Sequence, residues 1–221
     1  AQVASGPRST VGGGGNNTAS GTSSTVGGGD ANSAGGIGAA VAGGRGNQAS
    51  GSDSWVPGGS SASARGVSGK GAWASGQFAA AGDAQAGEQV LRRQTTDAAP
   101  SRLTADGGAP SPTNTANLPN NSAFACRILV VAKEVGGGNA KAMWDFVALA
   151  RRDASAGATL VSSTPAANTA QAAALSAGAT AGWSITLSAD AANGGIALTA
   201  VGTAGATINW VARILSVEAV G

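Results

Sequence analysis

Between residues 4 and 78 the apolar positions recur every fifteen residues, a spacing that belongs to neither a single strand nor a single helix. Cut from Ala4, the chain falls into rows reading "ASGPRSTVGGGGNNT", "ASGTSSTVGGGDANS", "AGGIGAAVAGGRGNQ", "ASGSDSWVPGGSSAS" and "ARGVSGKGAWASGQF". Alanine holds the first position (Ala4, Ala19, Ala34, Ala49, Ala64) and valine the eighth (Val11, Val26, Val41, Val56). Glycine holds the third (Gly6, Gly21, Gly36, Gly51, Gly66) and the tenth (Gly13, Gly28, Gly43, Gly58). The register loosens in the fifth row, where Gly71 and Trp73 stand in the valine and glycine columns. Helical-pair repeats run to about 33–47 residues, so this period predicts one coil of a parallel β-roll or β-solenoid, two short strands with their turns. The constant columns are expected to face inward, with Ala and Val filling a narrow core and Gly supplying turns at positive φ. The changing columns are expected to face solvent. The seventh reads Thr10, Thr25, Ala40, Trp55 and Lys70, which places Trp55 and Lys70 outside.

After Gly87 the period disappears and longer apolar segments begin. "AFACRILVVAKEV" (123–135) is rich in β-formers and runs into a glycine turn. "KAMWDFVALARR" (141–152) fits either period, and its β neighbours decide for a strand. "GWSITLSADAANGGIALTAVG" (182–202) reads as a hairpin turning at "NGG". "ATINWVARILSVEAV" (206–220) places Ile208, Trp210, Ala212, Ile214 and Val217 along a closing strand, with one break in phase. The alanine-rich stretch 165–182 fits a short helix or an extended edge. The expectation is an all-β chain: a solenoid shaft over residues 1–87, then an antiparallel, jelly-roll-like β-sandwich head over 88–221. Trp144, Trp183 and Trp210 read as core or interface aromatics. Trp144 and Trp183 also stand beside Trp55 as candidate ligand-stacking residues.

Composition refines this picture. Glycine accounts for 37 of 221 residues, 42% of the chain is hydrophobic and only 11% is charged. That is the make-up of closely packed small side chains, not of a disordered segment. A core of alanine, glycine and valine is thin, and the expected remedy is several chains sharing it. The net charge is +2, with Arg92-Arg93 and Arg151-Arg152 the only basic pairs, too sparse for a nucleic-acid surface. The one cysteine, Cys126, lies in an apolar run and reads as a core residue. There is no histidine, which excludes Ser-His-Asp and Cys-His catalysis and histidine metal sites. No cofactor or metal is implied. Paired carboxylates remain open to glycoside hydrolysis, but Asp97, Asp106, Asp145, Asp153 and Asp190 form no constellation and read as solvated or turn-forming. "ARGVSGKGA" (64–72) misses the phosphate-loop pattern at its first Gly and at its final Ser/Thr. The opening "AQVASG" falls mid-repeat, so a preceding part is expected.

The repeat rows resemble the head repeats of trimeric autotransporter adhesins. "GEQVLRRQTTDAAPSRLTADGGAP", "NLPNNSAFACRILVVAKEVGGGNAKAMWDFVALARR" and "WSITLSADAANGGIALTAVG" resemble carboxy-terminal segments of tail fibre proteins of phages, prophages and gene transfer agents. This resemblance implies a homotrimeric fibre on a virion or similar particle, outside the cell, joined to other particle proteins through a preceding part, that binds a host-surface polysaccharide or other receptor without inserting into a membrane. It implies no catalytic residues, and it supplies no fixed receptor residues to carry over. A purely structural fibre or decoration protein, an autotransporter head and a depolymerase are the competing expectations. The coiled-coil stalk and membrane anchor of an autotransporter adhesin are not in these 221 residues.

Overall fold

The computed structural model describes residues 1–136, 138–164 and 176–221. Most of the alanine-rich stretch 165–182 lies outside them. The described residues are all-β apart from one 3-10 turn, Ala156–Ala158. They form two compact units: residues 1–89 with 217–221, and residues 90–216.

In unit 1 each repeat is one coil. It lays down β1 (Val3–Ala4) and β2 (Thr10–Val11), then β3 (Thr18–Ala19) and β4 (Thr25–Val26), β5 (Ser33–Ala34) and β6 (Ala40–Val41), β7 (Gln48–Ala49) and β8 (Trp55–Val56). The odd strands form one parallel ladder and the even strands another, each stepping fifteen residues between partners. A third line of parallel bridges joins Gly15, Asp30, Arg45 and Ser60. The alanine and valine columns point inward as expected: Ala19, Ala34, Ala49, Val26, Val41 and Val56 are all buried. These columns close within one chain, so the thin core does not by itself require a partner.

Two interior columns went unforeseen. The sixth position (Ser24, Ala39, Ser54) is buried, and so is the fourteenth (Asn17, Asn32, Asn47). The asparagines form a ladder. Each accepts the backbone N–H one coil on: Asn17 from Asn32 and Asn32 from Asn47, both at 2.9 Å. Each Nδ2 donates to two glycine carbonyls, for Asn32 those of Gly28 at 2.9 Å and Gly44 at 2.8 Å. A buried amide is tolerated because every hydrogen-bonding group on it is satisfied.

The glycine expectation is corrected. Positive φ is needed at the eleventh position, where Gly14, Gly29 and Gly44 lie near +87°. In the third position Gly6, Gly21, Gly36 and Gly51 serve close approach instead: a Cβ on Gly21 or Gly36 would meet the next coil's carbonyl oxygen at 2.0 Å.

The fifth coil is out of step. After β9 (Gly59–Ser60), β10 (Gly71–Ser75) pairs Gly71 with Trp55, sixteen residues back, yet Ala74 with Gly59, fifteen back. One residue is gained before β10 and one lost within it. Ala72, not Gly71, therefore continues the valine column, and it is buried. Lys70 drops into the interior sixth column and is buried too, contrary to the solvent position expected of it.

β11 (Ala84–Thr95) runs antiparallel to β10. In unit 2, β12 (Ser101–Arg102) and β13 (Ala116–Asn117) precede β14 (Ser122–Val135), β15 (Lys141–Arg152), β16 (Thr159–Thr164), β17 (Ser176–Ala177), β18 (Ser184–Asp190), β19 (Gly195–Val201) and β20 (Thr207–Val220). One antiparallel sheet has the order β16–β15–β14–β20, and β17 also pairs with β15. In the other, β19 is central, with β18 on one edge and β12 and β13 on the other. Residues 141–152 are a strand as expected, β15, with Ala142, Trp144, Phe146, Ala148 and Ala150 facing in. Trp210 sits between the two other indoles, its centroid 5.5 Å from Trp144 and 5.7 Å from Trp183. Its N–H donates to Thr95 Oγ1 at 2.9 Å. The expected phase break in β20 does not occur. Ile208, Trp210, Ala212 and Ile214 face in, half-buried Ser216 keeps the phase, Val217 faces out, and Glu218 is buried on the inward phase.

Candidate functional site

The aromatic residues divide between the two units. All five in unit 2 (Phe124, Trp144, Phe146, Trp183, Trp210) are buried, while all three in unit 1 (Trp55, Trp73, Phe78) are exposed. Unit 1 builds its core without a ring, so its rings have no packing duty there. In unit 2 burial removes Trp144 and Trp183 as ligand platforms: their faces are spent on the core. Of the three candidate stacking residues only Trp55 offers a surface.

The shifted fifth coil assembles this surface. Trp55 and Trp73 stand 47% and 53% exposed. Gly71 pairs with Trp55 across the ladder, and Trp73 is two residues further along β10. Alternation therefore puts both indoles on one outer face of the sheet. Each lies over a glycine of the neighbouring coil. A Cβ on Gly71 would come within 2.6 Å of Trp55 Nε1, and one on Gly59 within 3.5 Å of Trp73 Nε1. On the other side of β10, Glu88 is opposite Gly71 and Ala86 opposite Trp73. Trp55, Gly71 and Glu88 thus make a row across three strands, with a carboxylate beside an aromatic shelf. Apolar faces next to a polar group suit the mixed surface of a sugar ring.

The loop from β10 to β11 adds Phe78, 83% exposed. Asp83 holds this loop: its carboxylate accepts the N–H groups of Ala80, Ala79 and Phe78 at 2.7, 2.6 and 2.9 Å. Those bonds, Ala80's and Ala79's above all, keep its carboxyl below the usual range. The loop is braced at its base while it presents the ring.

Next to this face, the last coil is closed by a buried ionic cluster. Glu218 accepts from Lys70 Nζ at 2.6 Å, from Gln85 Nε2 at 2.7 Å and from Arg65. Gln85 also exchanges bonds with the backbone of Ser63, at 2.9 and 3.0 Å. Polar groups cover the end of the core where a sixth coil would stack.

No family model matches the chain, and no curated protein does. Among solved structures, the tailspike protein of Acinetobacter phage vB_ApiP_P1 is similar over 93% of this chain and 47% of its own, at 12% identity and a TM-score of 0.33. The tailspike protein of Acinetobacter baumannii phage AM24 is similar over 90% and 46%, at 10% identity and a TM-score of 0.31. The structural similarity to phage tailspikes is distant, and the chain spans about half the length of each.

The carboxylates considered for hydrolysis each have structural partners. Asp106 accepts from Gly108 N, Asn114 and Thr104, which lower its pKa. Asp145 is lowered by its hydrogen bond and ion pair with Arg127. Burial pushes Asp190 up, but bonds from Asn193 and Arg102 outweigh it and hold the carboxyl low. Asp97 caps the N–H of Ala99, and Asp153 pairs with Arg151. Among the described residues no three of His, Cys, Asp and Glu gather to hold a metal.

Sequence reasoning missed Trp73 and Glu88. A second tryptophan in an array whose first three rows hold no ring was the available signal. The register shift hid it by putting Trp73 in a glycine column.

Proposed function

We propose that this chain is a fibre or spike component of a phage or phage-like particle that binds host-surface glycan on the Trp55–Trp73 face, as a homotrimer. The observation that carries the reading is the division of the aromatics: the unit that needs no rings for its core displays all of its rings on the surface. The resemblance of residues 87–221 to tail fibre segments supplies the setting, a virion outside the cell. Weak sugar sites gain from repetition, since linked sites raise avidity by roughly 10²–10⁴.

The reading predicts that purified protein binds host cells carrying their surface polysaccharide and not cells stripped of it. Trp55→Ala and Trp73→Ala are each expected to weaken binding about tenfold or more, as truncation of an aromatic anchor does. The circular dichroism spectrum should not change, because both side chains are exposed. A glycan array without hits, or binding indifferent to both substitutions, would leave the purely structural fibre standing.

The trimer has support of its own in unit 2. The outward faces of β14, β15 and β20 carry Leu129, Val131, Val147, Leu149, Val211 and Leu215, all exposed. A run of exposed apolar residues on one sheet face marks an association surface. Light scattering is expected to give about three times the 20.8 kDa chain mass. Val147→Glu with Leu149→Glu is expected to reduce it to one chain. A stable monomer of the unsubstituted protein would refute the trimer.

A further inference from the structure

Unit 2 contains a cavity of about 390 Å³ between β11, the loop after Ala105 and β20, lined by Arg92, Arg93, Gln94, Gly107, Asn209 and Val211, with Trp210 completing the wall. It contains two arginines and no acid. Neither arginine is in an ion pair of the described residues. Their donors reach backbone carbonyls only: Arg92 Nη2 that of Asp106 at 3.1 Å, and Arg93 Nη1 that of Gly107 at 2.8 Å. Arg93 Nε is buried and has no acceptor among the described residues. The nearest carboxylate, Asp106, is occupied by Gly108, Asn114 and Thr104. Gln94 and Asn209 bond to each other at 2.8 Å across the two strands, which leaves amide donors and acceptors along the rim.

Two arginines and no carboxylate in the lining leave the cavity with uncompensated positive charge. A small anion bound there neutralises it. We propose that this cavity binds an oxyanion, the carboxylate or phosphate group of an acidic saccharide. A planar guanidinium matches such a group with parallel N–H bonds, and the Gln94–Asn209 pair would meet neighbouring hydroxyls. The site lies in a different unit from the Trp55–Trp73 face and uses different chemistry, so it stands or falls separately from the glycan reading given above.

The test is an amide NMR titration of the intact protein with glucuronate, glucose 6-phosphate and glucose as probes. At least one of the two acids is expected to give saturable shifts confined to Arg92–Gln94, Gly107 and Asn209–Val211, and neutral glucose none. Saturation by glucuronate alone identifies the carboxylate as the anion; saturation by glucose 6-phosphate alone identifies the phosphate. Arg92→Gln is expected to weaken the acid about tenfold or more, and added salt to weaken it further. Arg93→Lys keeps a cation in place if loss of the Gly107 bond disturbs the fold, and it should bind more weakly than the native chain. Shifts of equal size with glucose, no saturable shifts with either acid, or affinity unchanged in a folded Arg92→Gln protein would overturn the proposal.

Discussion

Glu218→Ala is expected to destabilise unit 1 by about 3–5 kcal/mol, the usual cost of removing one partner from a buried ion pair. The Glu218 side chain is 1% exposed and that of Lys70 is 6% exposed, so water cannot take over the lost interaction. Arg65 and Gln85 lose the same acceptor. Glu218→Gln should cost less, because the amide keeps hydrogen bonds while giving up the charge. Val217→Ala, one residue away and facing out, should stay within roughly 0.5 kcal/mol of the native chain. Hydrogen exchange resolved by peptide is the measurement. Protection over residues 48–75 should fall sharply in Glu218→Ala and little in Val217→Ala. Equal protection in the two would show that the cluster does not hold the last coil.

The second large effect is expected at the asparagine ladder. Asn32→Leu keeps the branched shape of the side chain, yet it removes the acceptor for Asn47 N–H and the donor to Gly28 and Gly44. The Asn47 N–H is then orphaned in the interior. A buried donor without a partner costs about 1–3 kcal/mol, and the two lost carbonyl bonds add to it, for a total of roughly 3 kcal/mol. A solenoid coil contacts only its neighbours, so the damage should centre on the coils on either side of Asn32. Chemical denaturation should show a lowered midpoint, against almost none for Thr25→Ala on the outer face. If Asn32→Leu were as stable as the native chain, the apolar columns alone would be holding the coils together.

The sequence conveyed the shape of unit 1 because a fifteen-residue period is a local signal that each row repeats. It conveyed the Ala and Val columns for the same reason. The asparagines recur with that period just as faithfully, but a polar column carries no signal of burial. Only the geometry shows that the two carbonyls and one N–H meeting each amide make the interior its better place. The added and lost residues around β10 cancel within one coil, so counting from Ala4 cannot detect them. That one offset accounts for the misplacement of both Lys70 and Trp73. The partner of Lys70 is 148 residues away, and nothing in either neighbourhood announces the pair. In unit 2 alternation placed Ile208, Trp210, Ala212 and Ile214 on the inward side of β20. It could not reveal that Trp144, Trp183 and Trp210 converge, because that depends on how two sheets face each other.

The return of residues 217–221 to unit 1 has a consequence for how the chain can be taken apart. Unit 2 is an insertion: the backbone leaves unit 1 after Gln89 and comes back at Val217. A fragment ending at residue 89 would lack Glu218 and the bond from Val220 N to Asp83 O at 2.9 Å, leaving Lys70 to face the medium at an open end. The self-sufficient solenoid is a spliced chain, with Gln89 joined to Val217 by a short linker and the 127 residues between them removed. Unit 2 could then be exchanged for another antiparallel module at the same splice, without disturbing a coil.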